Sequence, residues 1–190
     1  MPPIKKYSKD KIVETALEIA KKEGFEKLNA RRIAKELKSS VNPIFNNFKN
    51  MDELKDEVYK EIYGIYKNYM NNGKKEENSY RGMGVGYIKF AKDYPEFFKI
   101  IFMKKYELDA ENFILADAEG NDVIKEGQKL TGLSFEEQKK FHVRVWIFTH
   151  GIACLVATKT ITIEDEEIVD LLQNTVREML IGYLKRKENA

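Results

Sequence analysis

The sequence lacks the features that build disulfide frameworks, secretion signals and membrane spans. Its 190 residues include one cysteine, Cys154, which excludes an internal disulfide and fits a reducing compartment. The N-terminal segment has no apolar core of the signal-peptide kind. The longest apolar run, residues 146–157, is interrupted by Thr149 and His150 and is too short to cross a bilayer. We therefore expect a cytoplasmic protein that makes no use of a membrane.

Motifs of catalysis and metal binding are also lacking. The sequence contains no nucleophile elbow, phosphate-binding glycine loop or metal-protease helix. His150 and Cys154 are spaced i, i+4 and could touch one metal ion, but two ligands are too few, and His142 lies two turns away at a different angle. Adjacent acids such as Glu136 and Glu137 are typical of helix starts, where the helix dipole favours them. We predict no enzymatic activity, no metal site and no cofactor.

Charge is unevenly distributed along the chain. Residues 1–50 hold twelve basic and six acidic residues, a formal charge of +6, whereas the whole chain carries only +2. The remainder is therefore slightly acidic, at −4. A basic head on an acidic body indicates a polyanionic partner for the head alone, although a few surface lysines by themselves would give the same count.

Apolar residues recur at helical spacing throughout, and no strand-like alternation of any length occurs. We predict an all-α fold of about nine helices, with a helix-turn-helix head at 1–52 and a ligand-binding and dimerisation domain at 53–190. Ser8 is a candidate N-cap for the first helix, and Gly24 ends it.

Helix boundaries in the larger domain follow from capping and breaking signals. The fourth helix is predicted from about Asp52 to Tyr69, because an Asn-Asn-Gly sequence follows it as a break. Glycines 82, 84 and 86 weaken the fifth helix and indicate close packing or flexibility. Residues 104–122 show no pattern and are predicted as a loop or a short helix. Two capping boxes, Ser134 with Glu137 and Thr162 with Asp165, open the last two helices.

The stretch 29–54 predicts two short helices joined by a tight turn, followed by the start of a longer helix. Asn29 can cap the first of them, and Lys38 begins the turn. Pro43 fits the first turn of the next helix, where a missing N–H costs little. The buried side of that short helix is assigned to Ile44, Phe45 and Phe48, and its outward side to Asn42, Asn46 and Asn47.

Two helices joined by a tight turn, the second short and polar, are typical of a helix-turn-helix that places its second helix in the major groove. Asparagine amides can read adenine or bind phosphate, while lysine, serine and the backbone N–H groups of a helix start suit phosphate. Such geometry also occurs in all-α proteins that bind no DNA. The predicted DNA-binding residues are Asn29, Ala30, Arg31, Lys38, Ser39, Ser40, Val41, Asn42, Pro43, Phe45, Asn46, Asn47 and Lys49.

The order of residues 8–54 resembles the N-terminal signature of the TetR family of bacterial transcriptional regulators. Ile33-Ala34 stands at the family's Ile-Ala pair, and Leu54 closes the motif. Ile44, Phe45 and Phe48 stand where the family has an apolar residue, a Tyr and a Phe. The resemblance implies a ligand-responsive DNA-binding regulator, a repressor released from a pseudo-palindromic operator by a small effector.

Three positions depart from the family pattern. Its usual turn glycine is Lys38 here, so we expect the turn to form without a residue free to adopt positive φ. Its usual Tyr is Phe45, and its usual Lys at the start of the fourth helix is Met51. The change to Phe45 loses a hydroxyl that is often used on phosphate. The change to Met51 loses a positive charge, for which Lys49 or Lys55 could substitute. Both changes support an alternative, in which the chain is a helical ligand-binding or interaction protein whose head no longer reads DNA specifically.

The second half resembles TetR effector domains, through Tyr87 to Phe102 and through a Trp146, His150-Gly151 signature of one C-terminal class. The resemblance implies a homodimer through the last two helices, whose apolar stripes also exceed what one small bundle needs. The resemblance also implies an effector pocket enclosed by the fifth to eighth helices. The aromatic density of its candidate residues, beside the glycine-weakened fifth helix, predicts an apolar or aromatic effector that shifts the population of head spacings, although such rings are usually ordinary core. The predicted effector-binding residues are Tyr87, Phe90, Phe98, Phe102, Phe113, Trp146 and His150.

Overall fold

A computed structural model describes residues 7–103 and 118–189. These residues form nine α-helices and a short 3₁₀ turn at Phe25–Lys27, and no strand occurs among them. The predicted all-α fold is confirmed. The helices are α1 (Lys9–Glu23), α2 (Ala30–Glu36), α3 (Asn42–Phe45), α4 (Met51–Lys74), α5 (Ser79–Asp93), α6 (Pro95–Phe102), α7 (Ala118–Thr131), α8 (Phe135–Ala157) and α9 (Asp165–Glu188).

The chain divides into two compact units, and the first contains residues up to 65 together with 96–103. It holds α1, α2, α3, the start of α4 and nearly all of α6. Ser8 caps α1 as predicted, since its hydroxyl oxygen accepts from the Lys11 backbone N–H at 3.2 Å. The core comes from apolar residues at helical spacing, all at most 2% exposed, among them Ile12, Ile19, Ile33, Ile44, Phe48 and Leu54.

Among the described residues, the second unit contains 66–95 together with 118–189. Its described part holds the end of α4 with α5, α7, α8 and α9, and α5 packs against each of the last three. Met83, Phe90, Phe141 and Ala153 are fully buried there. The capping box predicted at Ser134 is confirmed, because its hydroxyl and the Glu137 carboxylate each accept from the other's backbone N–H.

The predicted break after Tyr69 is wrong, because α4 continues to Lys74 through the Asn-Asn-Gly sequence. Tertiary packing overrides the local signal there. A Cβ at Gly73 would lie 2.2 Å from the Gly82 carbonyl oxygen, and one at Gly82 would lie 2.1 Å from that of Gly73. Glycine therefore lets the backbones of α4 and α5 touch, which confirms close packing at Gly82. Gly86 makes the same approach to Tyr69, whose carbonyl oxygen would be 2.6 Å from its Cβ.

Two other predictions concern helix starts in the second unit. Residues 118–122, predicted as a loop or a short helix, form the start of α7, which runs from Ala118 to Thr131. Its first turn is anchored by Lys67 with Glu119 at 3.6 Å and by Lys74 with Asp122 at 2.7 Å. The capping box of α9 forms at Glu164 with Glu167 rather than at Thr162 with Asp165. Residues 104–117 lie outside the described part of the chain.

Across the residues with assigned structure, no helix is long and apolar enough to cross a membrane.

Candidate nucleic-acid interface and ligand cavity

The turn between α2 and α3 is built on Lys38, which adopts a left-handed backbone with φ 51°. The Ser39 N–H donates to the Ala34 carbonyl at 2.9 Å, and the Lys38 N–H donates to Lys35 at 3.2 Å. These two bonds form a Schellman motif, whose left-handed position is usually glycine. The expectation of a turn without positive φ is wrong, because the lysine itself takes that conformation.

The structure places most of the predicted DNA-binding side chains at the surface of the first unit. Asn42, Phe45 and Asn46 on α3 are exposed, and Phe45 retains 49% of its accessible surface. Phe45 was also assigned to the buried side of α3, and that assignment is wrong, because Ile44 and Phe48 fill the core instead. The remaining exposed members of the predicted set are Asn29, Arg31, Lys38, Ser40 and Lys49, and the half-buried ones are Ala30, Ser39, Val41, Pro43 and Asn47.

Asn47 does not face outward as predicted. It is half-buried, and its side-chain amide donates to the Pro43 carbonyl at 2.7 Å and to the Tyr7 carbonyl at 3.4 Å. These bonds connect the end of α3 to the segment before α1. The Asn47 amide therefore stabilises the head, whereas Asn42 and Asn46 present their amides to solvent.

Two further polar groups of the head are used internally. The Asn29 side-chain oxygen accepts from the Arg32 backbone N–H at 3.0 Å, which makes Asn29 the N-cap of α2. The Arg32 guanidinium lies 2.7 Å from both Glu23 and Glu36, and hydrogen bonds to these carboxylates raise its pKa. Both carboxylates therefore neutralise Arg32 within the head, whereas the Arg31 side chain is exposed.

The residues predicted to bind an effector fall into both units. Tyr87 and Phe90 on α5 are buried in the second unit, where Trp146 stacks on His150 with ring centroids 4.7 Å apart. Phe98 and Phe102 belong to the first unit and contact each other. Phe113 lies outside the described residues. Their common role in effector binding remains a prediction.

Both histidines of the chain pair with tyrosines of α5. The Tyr80 hydroxyl lies 2.9 Å from Nδ1 of His142, and the Tyr87 hydroxyl lies 2.9 Å from Nδ1 of His150. Burial lowers the pKa of His142 to about 4 and also lowers that of His150, so both imidazoles are neutral at pH 7. In each pair the hydroxyl donates to an unprotonated Nδ1 or accepts from Nδ1–H, depending on the imidazole tautomer.

His150 contacts Cys154 as well as Tyr87. Its Nε2 lies 3.3 Å from the Cys154 sulfur, within reach of a hydrogen bond from that nitrogen. In the part of the chain that the structure describes, no group of three His, Cys, Asp or Glu residues could hold a metal ion. The predicted i, i+4 pair is therefore a hydrogen-bonded contact here.

The second unit also contains an open cavity of about 350 Å³ among α5, α7, α8 and α9. None of the predicted effector-binding residues within the described part of the chain lines it. Its polar lining includes Arg81 and Arg177, which sequence reasoning missed. One feature of the sequence could have indicated this charged lining. Arg177 is a basic residue that lies between Val176 and Leu180 of the apolar stripe in the last helix. The apolar wall comprises Leu130, Val145, Leu172, Val176 and Leu180.

Comparison with known proteins was informative for the N-terminal domain and for the fold. Residues 12–58 match the family model described as "Bacterial regulatory proteins, tetR family". No curated protein matches the chain.

Two similar solved structures cover almost the whole chain. One is a TetR-like transcriptional regulator from Rhodococcus sp. RHA1, with a TM-score of 0.62 and 13% identity over 90% of this chain and 94% of that one. The other is apo ActR from Streptomyces coelicolor, with a TM-score of 0.50 and 17% identity over 98% of this chain and 99% of that one. At such identities the likeness shows a shared fold.

Proposed function

We propose that this chain, whose residues 12–58 are an N-terminal domain of the TetR family, is a DNA-binding transcriptional regulator that responds to a small ligand. The single observation that carries the proposal is the helix-turn-helix surface of α2 and α3. The family is regulatory rather than enzymatic, and we assign the chain no catalytic role. A regulator of this kind acts where the DNA is, so we also propose a cytoplasmic location.

Base reading is assigned to the exposed face of α3. Asn42 and Asn46 can donate to and accept from base edges, and the exposed Phe45 ring can contact a thymine methyl group. Arg31, Lys38 and Lys49 surround that face with positive charge, which positions the helix on phosphates without reading sequence. Phe45 has no hydroxyl for phosphate, so these basic side chains supply most of the backbone contact.

We propose that α8 and α9 pair with the same helices of a second copy. Ile147 is 55% exposed and Leu155 is 42% exposed on α8, with Gly151 between them on one face. Ile181 is 46% exposed and Leu171 is 39% exposed on α9. An apolar face of this kind on two long helices supports a four-helix interface, and a two-fold dimer would present two heads to a pseudo-palindromic operator.

The regulatory step we propose is repression that an effector relieves. The cavity in the second unit is a candidate ligand site, and α4 is one uninterrupted helix with residues in both units. An effector that binds better to dimers whose heads no longer match two successive major grooves would lower the population bound to the operator. In the alternative function, the same cavity binds its ligand but the head reads no sequence.

A binding titration against the DNA that flanks the protein's own coding region separates these functions. Specific binding should have a dissociation constant on the order of 10⁻⁸ M or lower at physiological salt and weaken steeply as salt rises. Lys49→Ala should weaken binding to specific and random DNA alike. Lys125→Ala, on an exposed position of α7, is the matched control and should change neither. Equal, weak binding to every sequence would favour the helical ligand-binding protein.

A further inference from the structure

The cavity of the second unit combines an apolar wall with positive charge, and among the described residues no acidic side chain lines it. Leu130, Val145, Leu172 and Val176 form one side. From this lining we propose that the cavity binds an organic carboxylate with an apolar body. The inference deepens the proposed function by naming its effector class, and the role of such a ligand as an effector rests on that function.

The positive charge comes from two arginines. One of them is hydrogen-bonded to a glutamine that lies one helical turn from the other. The Arg81 guanidinium donates to the Gln173 side-chain oxygen at 2.5 Å. Gln173 and Arg177 are four residues apart on α9, which places their side chains one helical turn apart on the same face. Both arginines therefore meet the cavity from neighbouring positions, Arg81 from α5 and Arg177 from α9.

Neither arginine has a carboxylate within 4.0 Å among the described residues, whereas several other cations of the chain do. Arg32 is held by two glutamates, Lys92 by Asp165 at 3.0 Å, and Lys187 by Glu137 at 2.5 Å. A bound anion would give these guanidinium groups a charged partner beside the apolar wall. A guanidinium also matches the two oxygens of a carboxylate in a planar, bidentate fit.

The other polar groups at the cavity are already satisfied. The Tyr80 hydroxyl lies 2.9 Å from His142, and the Thr149 hydroxyl donates to the Val145 carbonyl at 2.8 Å. The guanidinium groups are therefore the cavity's charged donors, at one side of a largely apolar space. A volume of about 350 Å³ is at the lower end for small-molecule sites and suits a medium-length alkyl chain or a fused-ring body.

Calorimetric titration of the full chain with decanoate, 1-decanol and decyltrimethylammonium tests the proposal. The three probes share an alkyl chain and differ in head-group charge. Decanoate should bind at least about tenfold more tightly than decanol, which corresponds to about 1.4 kcal/mol. The ammonium compound should bind least tightly. Equal affinity for decanoate and decanol would overturn the proposal, since it would show that charge plays no part.

Substitutions of the two arginines test whether decanoate binds in this cavity. Arg177→Met and Arg81→Met should each lower decanoate affinity by about tenfold and leave decanol affinity unchanged. Arg186→Met, on the same helix but outside the cavity lining, is the matched control. If Arg81→Met unfolds the chain because its bond to Gln173 is lost, Arg177→Met on the exposed side of α9 still decides the matter. Decanoate affinity unchanged in Arg177→Met would overturn the proposal.

The DNA titration is run on the same protein without ligand. Loss of specific DNA binding with decanoate selectivity intact would remove the proposed function and leave the carboxylate site standing. Specific DNA binding with no selectivity for decanoate would overturn the carboxylate site and leave the proposed function standing.

Discussion

The Tyr80 hydroxyl on α5 lies 2.9 Å from Nδ1 of His142 on α8, and both side chains are at least 94% buried. Seven residues further along α5, Tyr87 makes the same contact with His150 eight residues further along α8. Two turns of each helix separate the pairs. The α5–α8 contact therefore contains two tyrosine–histidine hydrogen bonds, both made by imidazoles that are neutral at pH 7.

The buried pair predicts a pH-dependent stability. The pKa of His142 is lowered from 6.5 to about 4, so between these values the unfolded chain binds a proton that the folded chain does not. The free energy of unfolding should therefore fall as pH decreases from 6.5 towards 4, by up to about 3 kcal/mol. Urea unfolding at a series of pH values measures this. His142→Gln keeps an acceptor for Tyr80 but does not titrate, so its curve should be flatter, and an unchanged slope would contradict the assignment.

Lys38 predicts a stabilising substitution in the turn of the head. A non-glycine residue at φ 51° is strained, and Lys38→Gly should raise the free energy of unfolding by about 0.5–1 kcal/mol. Lys159, at φ 58° after α8, should respond in the same way. Lys35→Gly within α2 is the opposite control and should lower stability by about 1 kcal/mol. Thermal unfolding followed by circular dichroism compares the three, and a destabilised Lys38→Gly would show that the turn is unstrained.

The α4–α5 contact predicts that Gly82 tolerates no side chain. A Cβ there would lie 2.1 Å from the Gly73 carbonyl oxygen, so Gly82→Ala must separate the two helices and should lower stability by about 3 kcal/mol or abolish folding. Gly64→Ala on α4 is the matched control. Its Cβ would meet nothing within 4 Å, and the better helix propensity should raise stability by about 0.5–1 kcal/mol. Similar melting temperatures for the two variants would contradict the close approach.

Neighbouring asparagines of the head predict different phenotypes. The Asn46 side chain is exposed, so Asn46→Ala should keep the stability of the head but relax sequence preference in DNA binding. Asn47→Ala removes bonds to the Pro43 and Tyr7 carbonyls and should lower stability by about 1–2 kcal/mol. Melting curves and competition with random DNA separate the two effects. Loss of stability in Asn46→Ala alone would reverse these roles.

The exposed apolar face of α8 predicts the oligomeric state. Ile147→Glu places a charge on that face and should convert a dimer to a monomer without unfolding it, because Ile147 is 55% exposed in one chain. Leu130→Glu, at a position 53% exposed on α7, is the matched control and should leave the dimer intact. Sedimentation velocity gives the mass of each species. A monomeric wild-type protein would exclude the proposed interface.

Local signals in the sequence were sufficient to predict the helices and most of their caps. Ser8, Asn29 and Ser134 each accept from a backbone N–H at the start of a helix, as predicted. Such bonds involve residues three apart in the chain, so they can be read without knowledge of the fold. The break after Tyr69 could not be read in this way, because the contact that keeps Gly73 helical comes from Gly82 on another helix.

In the candidate sites, too, local properties could be predicted from the sequence, whereas contacts between helices could not. The sequence by itself determined that the chain is helical, that its head is basic and that residues 29–54 form a helix-turn-helix, because periodicity, charge and capping are local properties. Tertiary structure decided which polar groups remain available. It directed the amide of Asn47 inward, neutralised Arg32 with two glutamates, and brought Arg81 to a cavity beside Arg177. These outcomes depend on contacts between side chains of different helices. Spacing along the sequence carries no information about such contacts.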